Sequence, residues 1–203
     1  MESQLNVSRK RGRGTTKQRA FHIGASDRFS SAYWIHLEAH TQATLSTLDN
    51  FLRDLWLECC GHLSAFTLDG VRYEDAFEYL EPDPWDFGPE SEDMNIPLDQ
   101  VLSPGLAFAY EYDFGSTTWL KLRVIEEREG AFPRSPIQLI ARNEPLVFEC
   151  LSCGKPASQV CTCWQWSEEA WYCQECAPEH EGMDHYFLPI VNSPRMGVCG
   201  YTG

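Results

Sequence analysis

Six of the nine cysteines and two of the six histidines fall between Cys150 and His185. Their order is Cys150-x2-Cys153, Cys161-x-Cys163, Cys173-x2-Cys176, then His180 and His185. A Cys-x2-Cys knuckle presents two thiolates to one tetrahedral ion from a tight turn. Zinc suits such a sulfur and imidazole set because it demands little beyond tetrahedral closure. Eight ligands divide into two four-coordinate sites with no position left for water, which is the pattern of two structural Zn2+ ions, not a catalytic one. Cross-braced pairing would join Cys150, Cys153, Cys173 and Cys176 around one ion, and Cys161, Cys163, His180 and His185 around the other. Sequential pairing satisfies the same spacing. The tight Cys161-x-Cys163 step is the weakest part of the pattern, and Cys199 is a spare thiol able to replace one ligand.

Three disulfides would use the same six cysteines. The chain, however, starts on polar and basic residues without an apolar signal core, and thiols stay reduced in the cytoplasm, the expected location. Other groups with chemical potential are sparser. His36, Glu38 and His40 share one face of a strand, a row that reads as a half-exposed sheet face. Asp113, with Tyr110 or Tyr112, has the makings of an acid–base pair, but an aspartate beside a hairpin glycine usually caps backbone amides. Arg195 lies close in sequence to Cys199, and a thiol near arginine can be reactive. A tail packed on the body and anchored by Tyr201 accounts for the same residues. Cys59 and Cys60 read as buried thiols. Phosphate loops, nucleophile elbows and His-Glu-x-x-His helices do not occur.

The elements that must position these residues are legible from periodicity. Tyr33, Ile35, Leu37 and Ala39 alternate as a strand. Thr44 N-caps an amphipathic helix in which Leu45, Leu48, Leu52, Leu55 and Cys59 share a face, ending near Gly61. Asp49 sits early in it, near the positive end of the helix dipole. His62 to Leu68 and Val71 to Tyr73 flank an Asp69-Gly70 turn. A short helix follows Ile96-Pro97. Leu106 to Tyr112 and Thr118 to Glu126 pair as a hairpin, with Gly115 expected to supply positive φ in its loop. Ile137 to Ala141 adds a last strand.

Of 203 residues, 43% are hydrophobic, enough for a real core. No apolar run approaches the roughly 20 residues of a bilayer span, so no membrane role is expected. Residues 1–20 carry a net charge of +5 against −14 for the whole chain, leaving −19 on the remainder. Such a body repels phosphate backbones, so nucleic-acid contact is confined to the basic N-terminal tail. From Tyr73 to Leu120 there are twelve acids and no lysine or arginine. The proline-broken stretch Glu81 to Glu90, with Trp85 and Phe87, reads as an insertion loop or a docking segment for a basic partner.

Tyr112-Asp113-Phe114-Gly115, preceded by the alternating strand, the amphipathic helix and a His62-Leu63-x-x-Phe66 strand, resembles the plasmid pRiA4b ORF-3-like family over about residues 30–128. That resemblance implies a compact α+β domain of bacterial or mobile-element origin with no established activity. Some relatives carry a cysteine-rich extension ending like Asn192 to Tyr201, and the cysteine-rich part is similar in layout to MYND or HIT-type zinc modules, which usually mediate interactions. The expected fold class is therefore α+β: a small mixed or antiparallel sheet packed on one main helix, followed by a loop-rich zinc module. The expected divisions are a disordered basic tail (1–28), an α+β domain (29–143) and a cysteine-rich module with its tail (144–203). A zinc-stabilised protein-interaction module, partner unidentified, is the leading expectation. A hydrolase with one open zinc, a thiol catalyst at Cys199, and an acidic mimic of nucleic acid are the alternatives.

Overall fold

A computed structural model describes residues 18–75, 91–131, 134–162, 170–180 and 186–203. The body is a twisted, sheet-dominated layer against one main helix. Its strands are β1 (Gln18–Asp27), β2 (Trp34–His40), β3 (Ser64–Leu68), β4 (Val71–Glu74), β5 (Ser91–Asp93), β6 (Ala107–Tyr112), β7 (Thr118–Gly130) and β8 (Ile137–Arg142). They form one eight-stranded sheet in the order β5-β4-β3-β6-β7-β1-β2-β8. All pairings are antiparallel except β4 with β5.

The sheet is thus larger than the small sheet expected, and its extra central strand has a clear source. Gln18–Asp27 lies inside the stretch expected to be a disordered basic tail, yet it pairs with β7 along its whole length and with β2 from Ala20 to Ser26. Ala20, Phe21, Ile23 and Ala25 are buried there, and this alternation outweighs the charge of Arg19. Arg19 instead reaches Glu127 at 2.9 Å and Asp99 at 3.2 Å on the surface. The acidic stretch around Trp85 and Phe87 lies outside the described residues.

One sheet face is apolar and covered by helix α1 (Leu45–Leu52), as one-sided antiparallel sheets require. Thr44 caps α1 as expected, its Oγ1 accepting from the Thr47 amide at 3.1 Å. Leu45, Leu48 and Leu52 pack on Ile35, Leu37, Phe66, Tyr110 and Leu120 in a single core. The helix does not run on unchanged toward Gly61. It widens into a π-type turn, Arg53–Leu57, that buries both Trp56 and Leu57. Asp49 is not a solvent-facing dipole partner either. It is fully buried and accepts hydrogen bonds from Ser64 Oγ at 2.6 Å and Tyr110 Oη at 2.7 Å.

The short helix α2 (Leu98–Val101) and the β6–β7 hairpin stand where the periodicity places them. In the hairpin loop, however, the left-handed residue is Asp113, at φ 64°, in place of Gly115. Aspartate tolerates that conformation when its side chain bonds locally. Here Oδ1 accepts from the amides of Gly115 at 3.0 Å and Ser116 at 3.2 Å.

Beyond β8 a three-stranded sheet holds β9 (Gln159–Cys161) between β10 (Ala170–Tyr172) and β11 (Phe187–Pro189). A single 3-10 turn, Ala177–Glu179, follows the second knuckle. The tail then returns to the body. Asn143 Nδ2 donates to Asn192 Oδ1, Asn192 Nδ2 donates to the Asn143 carbonyl, and Ser193 Oγ donates to the Trp56 carbonyl at 2.6 Å. Tyr201 is buried. The packed tail is therefore the arrangement found for this segment.

Candidate metal centres

Two groups of four ligand atoms each lie within 4.8 Å of one another among the described residues, and either can hold a metal ion.

The first is Cys150, Cys153, Cys173 and Cys176. Both knuckles close the same way. Gly154 N–H donates to the Cys150 carbonyl at 2.8 Å, and Ala177 N–H donates to the Cys173 carbonyl at 3.0 Å. Gly154 needs its freedom here, because the turn takes φ to 70°. Leu151 N–H donates to the Trp171 carbonyl at 2.9 Å, which fixes the first knuckle against β10. Trp171 in turn stacks on Phe148 with centroids 4.0 Å apart. A tetrahedral ion with bonds of about 2.3 Å to sulfur sets its sulfurs about 3.8 Å apart, and Cys153 and Cys173 stand at 3.7 Å.

The electrostatics of this quartet are those of thiols crowded into mutual contact. Donation from the Cys173 amide to sulfur, which outweighs burial, holds the Cys150 thiol down at about 6. Cys176 is pushed up to about 12 by its hydrogen bonds to Cys153 and then Cys173. Four thiolates together require a cation.

The second group is Cys59, Cys60, His62 and Cys199. It joins the end of the π-type turn to the C-terminal tail. Cys60 Sγ stands 3.6 Å from Cys59 Sγ and 3.8 Å from Cys199 Sγ. His62 Nε2 lies 2.9 Å from Cys60 Sγ and 3.2 Å from Cys199 Sγ. Gly61 takes φ 77° between the ligands, and its amide donates to Glu58 Oε1 at 2.5 Å. Burial opposes ionisation of Cys59, but the hydrogen bond from Arg195 Nη2, at 3.5 Å, brings its thiol below the ordinary value. Cys60 is pushed up to about 12, first by its contact with Cys59.

The expectation that Cys59 and Cys60 are simply buried thiols is corrected by this grouping: Cys60 is exposed and Cys59 only half-buried. Neighbouring Cys60-x-His62 was the available local signal. Its partner Cys199 lies 137 residues beyond His62, a separation that no motif spans.

Of the other sequence-predicted ligands, Cys161 is buried in β9 with its sulfur in a disulfide. The His180 ring stacks on Tyr172, whose hydroxyl lies 3.0 Å from Nδ1. Neither belongs to a four-ligand group among the described residues. Cys163 and His185 fall outside those residues. The His36 face is half-exposed, and His36 Nδ1 meets His22 Nε2 at 2.8 Å. Burial, then the neighbouring His22, lowers the His36 pKa.

Asp113 is committed to structure. Burial disfavours its charge, yet Arg195 and the loop amides prevail and hold its carboxyl below the usual carboxylate range. Its Oδ2 also stands 3.5 Å from His62 Nε2. No described helix is long and apolar enough to cross a membrane.

No protein-family model matches the chain, and no curated protein does. Among solved structures it is similar to the crystal structure of a protein of unknown function, MM3350, from Methanosarcina mazei Go1. The TM-score is 0.51 and the identity 15%, over 63% of this chain and 70% of that one. At that identity the likeness is one of fold.

Proposed function

We propose that the chain is a non-enzymatic, cytoplasmic protein-interaction module of the pRiA4b ORF-3-like type, stabilised by structural zinc. The observation that carries the reading is the closure of Cys150, Cys153, Cys173 and Cys176 into one quartet from two knuckles that share the same closing hydrogen bond. All four positions are protein ligands, so a bound ion is a support and not a Lewis acid with an open site. In the cysteine-rich segment Val147, Leu151 and Tyr186 are exposed apolar side chains, the kind of surface that a protein partner covers. The family reading rests on the Tyr112-Asp113-Phe114-Gly115 motif in the sequence. The three short strands of the module provide little core of their own. Metal binding, worth on the order of 10 kcal/mol for a structural site, then supplies its folding energy.

Protease mapping with and without chelator tests this. The expected result is that chelation exposes residues 144–189 to cleavage while the eight-stranded body stays intact. A module that remains resistant in chelator, or a bound ion with an exchangeable water, overturns the reading.

A further inference from the structure

We propose that Cys59, Cys60, His62 and Cys199 form a second structural zinc site that clamps the tail onto the body. The inference uses none of the residues of the first quartet.

Three observations carry it. The sulfur spacings, 3.6 Å and 3.8 Å, lie within about 0.2 Å of the value that a tetrahedral zinc–thiolate site imposes. The imidazole nitrogen is closer to sulfur than the roughly 3.6 Å such a site gives, so loading moves His62 outward by a few tenths of an ångström. Second, the tail is shaped to deliver its sulfur. Gly197, Cys199 and Gly200 all take positive φ, and Cys199 does so at 50° without glycine's freedom. A left-handed conformation is unfavourable for a residue that carries a Cβ, and ligation offsets that strain.

Third, the surroundings suit the charge. Three thiolates around Zn2+ leave a net negative site, and the Arg195 guanidinium donates to Cys59 Sγ at 3.5 Å from a buried position. An outer partner of that kind orients a ligand and balances its charge. Asp113, whose Oδ2 lies 3.5 Å from His62 Nε2, is held by Arg195 at 2.7 Å. Sulfur and imidazole donors in a closed set of four favour zinc over magnesium or calcium, which take oxygen ligands. Cys60 and Cys199 are exposed, which gives the ion an entry path. Binding releases the thiol protons to solvent.

The test is metal quantification on the full-length protein, reduced and then loaded with Zn2+, with Co2+ as a spectroscopic substitute. Cys60→Ser and Cys199→Ser, on the two separate segments, are each expected to lose one metal equivalent per chain. Cys199→His, which restores a ligand, is expected to regain it. In a Cys150→Ser/Cys173→Ser background the first site is gone, and one equivalent with tetrahedral thiolate–cobalt absorption should remain. In that background chelator should also increase hydrogen exchange in residues 193–203. Circular dichroism checks that each variant folds.

Unchanged metal content in both single serine variants overturns the proposal, as does a double-serine background that binds no metal while folded. So does a native mass showing a Cys60–Cys199 disulfide in place of the ion. A wild type that binds a single equivalent, lost in the Cys60 and Cys199 variants and kept in the double-serine background, would sink the zinc-module reading and leave this one standing.

Discussion

Arg195 Nη2 donates to Asp113 Oδ2 at 2.7 Å, joining residues 82 positions apart, with the arginine side chain wholly buried. The same guanidinium donates through Nη1 to the Ser116 carbonyl and to Thr118 Oγ1, each at 3.1 Å, and lies 4.7 Å above the Tyr112 ring. One tail residue thus satisfies the hairpin loop from inside.

Removing either partner strands a buried charge. Asp113→Asn and Arg195→Met are each expected to lose about 3–5 kcal/mol of stability at neutral pH. In a double-mutant cycle by urea unfolding, at constant metal loading, the double variant should lose less than the sum. Additive losses would show that the pair is not energetically coupled.

Asp49 gives a pH signature of the opposite kind. Burial raises its pKa above 3.8, despite hydrogen bonds from Ser64 and Tyr110 and the charge of Arg53. The folded state therefore holds the proton more tightly than the unfolded one. Its contribution is fully present below about 3.8 and declines as pH rises through the raised folded value. Relative to Asp49→Asn, the wild type should become less stable over that window. A flat difference between the two proteins would contradict this. Asp113 has its pKa lowered, and its contribution is lost as pH falls below about 3.8.

Tyr110→Phe tests the buried acceptor from the other side. It removes the 2.7 Å donor to Asp49 and should cost about 1–3 kcal/mol, the penalty for an under-satisfied buried group. Thermal or urea unfolding reads it directly.

Helix α1 should be far more sensitive at its apolar face than at its cap. Leu48→Ala is expected to cost about 2–5 kcal/mol through the cavity it leaves. Thr44→Ala should cost about 1 kcal/mol. Comparable losses would mean that the helix contributes little to the core.

Deleting residues 18–27 should abolish folding of the body, because β1 lies between β7 and β2 in the sheet and pairs with both. A cooperative unfolding transition in the truncated chain would show that the two halves of the sheet stand alone.

That strand also shows where sequence reading stopped. Alternation located β2, β6 and β7 because each carries three or more core residues without a competing signal. In β1 the same alternation, Phe21, Ile23 and Ala25, adjoins a run of basic residues, and composition prevailed over periodicity. The Asp69-Gly70 turn was legible because both residues must take positive φ, and they do, at 47° and 87°. The first sulfur quartet was legible because two knuckles announce themselves locally. The second was not, because its last ligand is brought in by tertiary contacts through Ser193 and Arg195. Asp49 illustrates the same limit: a carboxylate early in the helix suggests a dipole effect, and only the packing of β3 and β6 reveals it as a buried acceptor.

The pairing of Asp113 with Arg195 also sets a timetable for biosynthesis. At about 5–20 residues per second, the ribosome makes the aspartate roughly 4–16 s before its guanidinium partner. During that interval the hairpin has no counter-ion, and Trp56 has a carbonyl that Ser193 has not yet reached. The nascent sheet must wait for residues synthesised after the cysteine-rich segment before its last polar groups are satisfied.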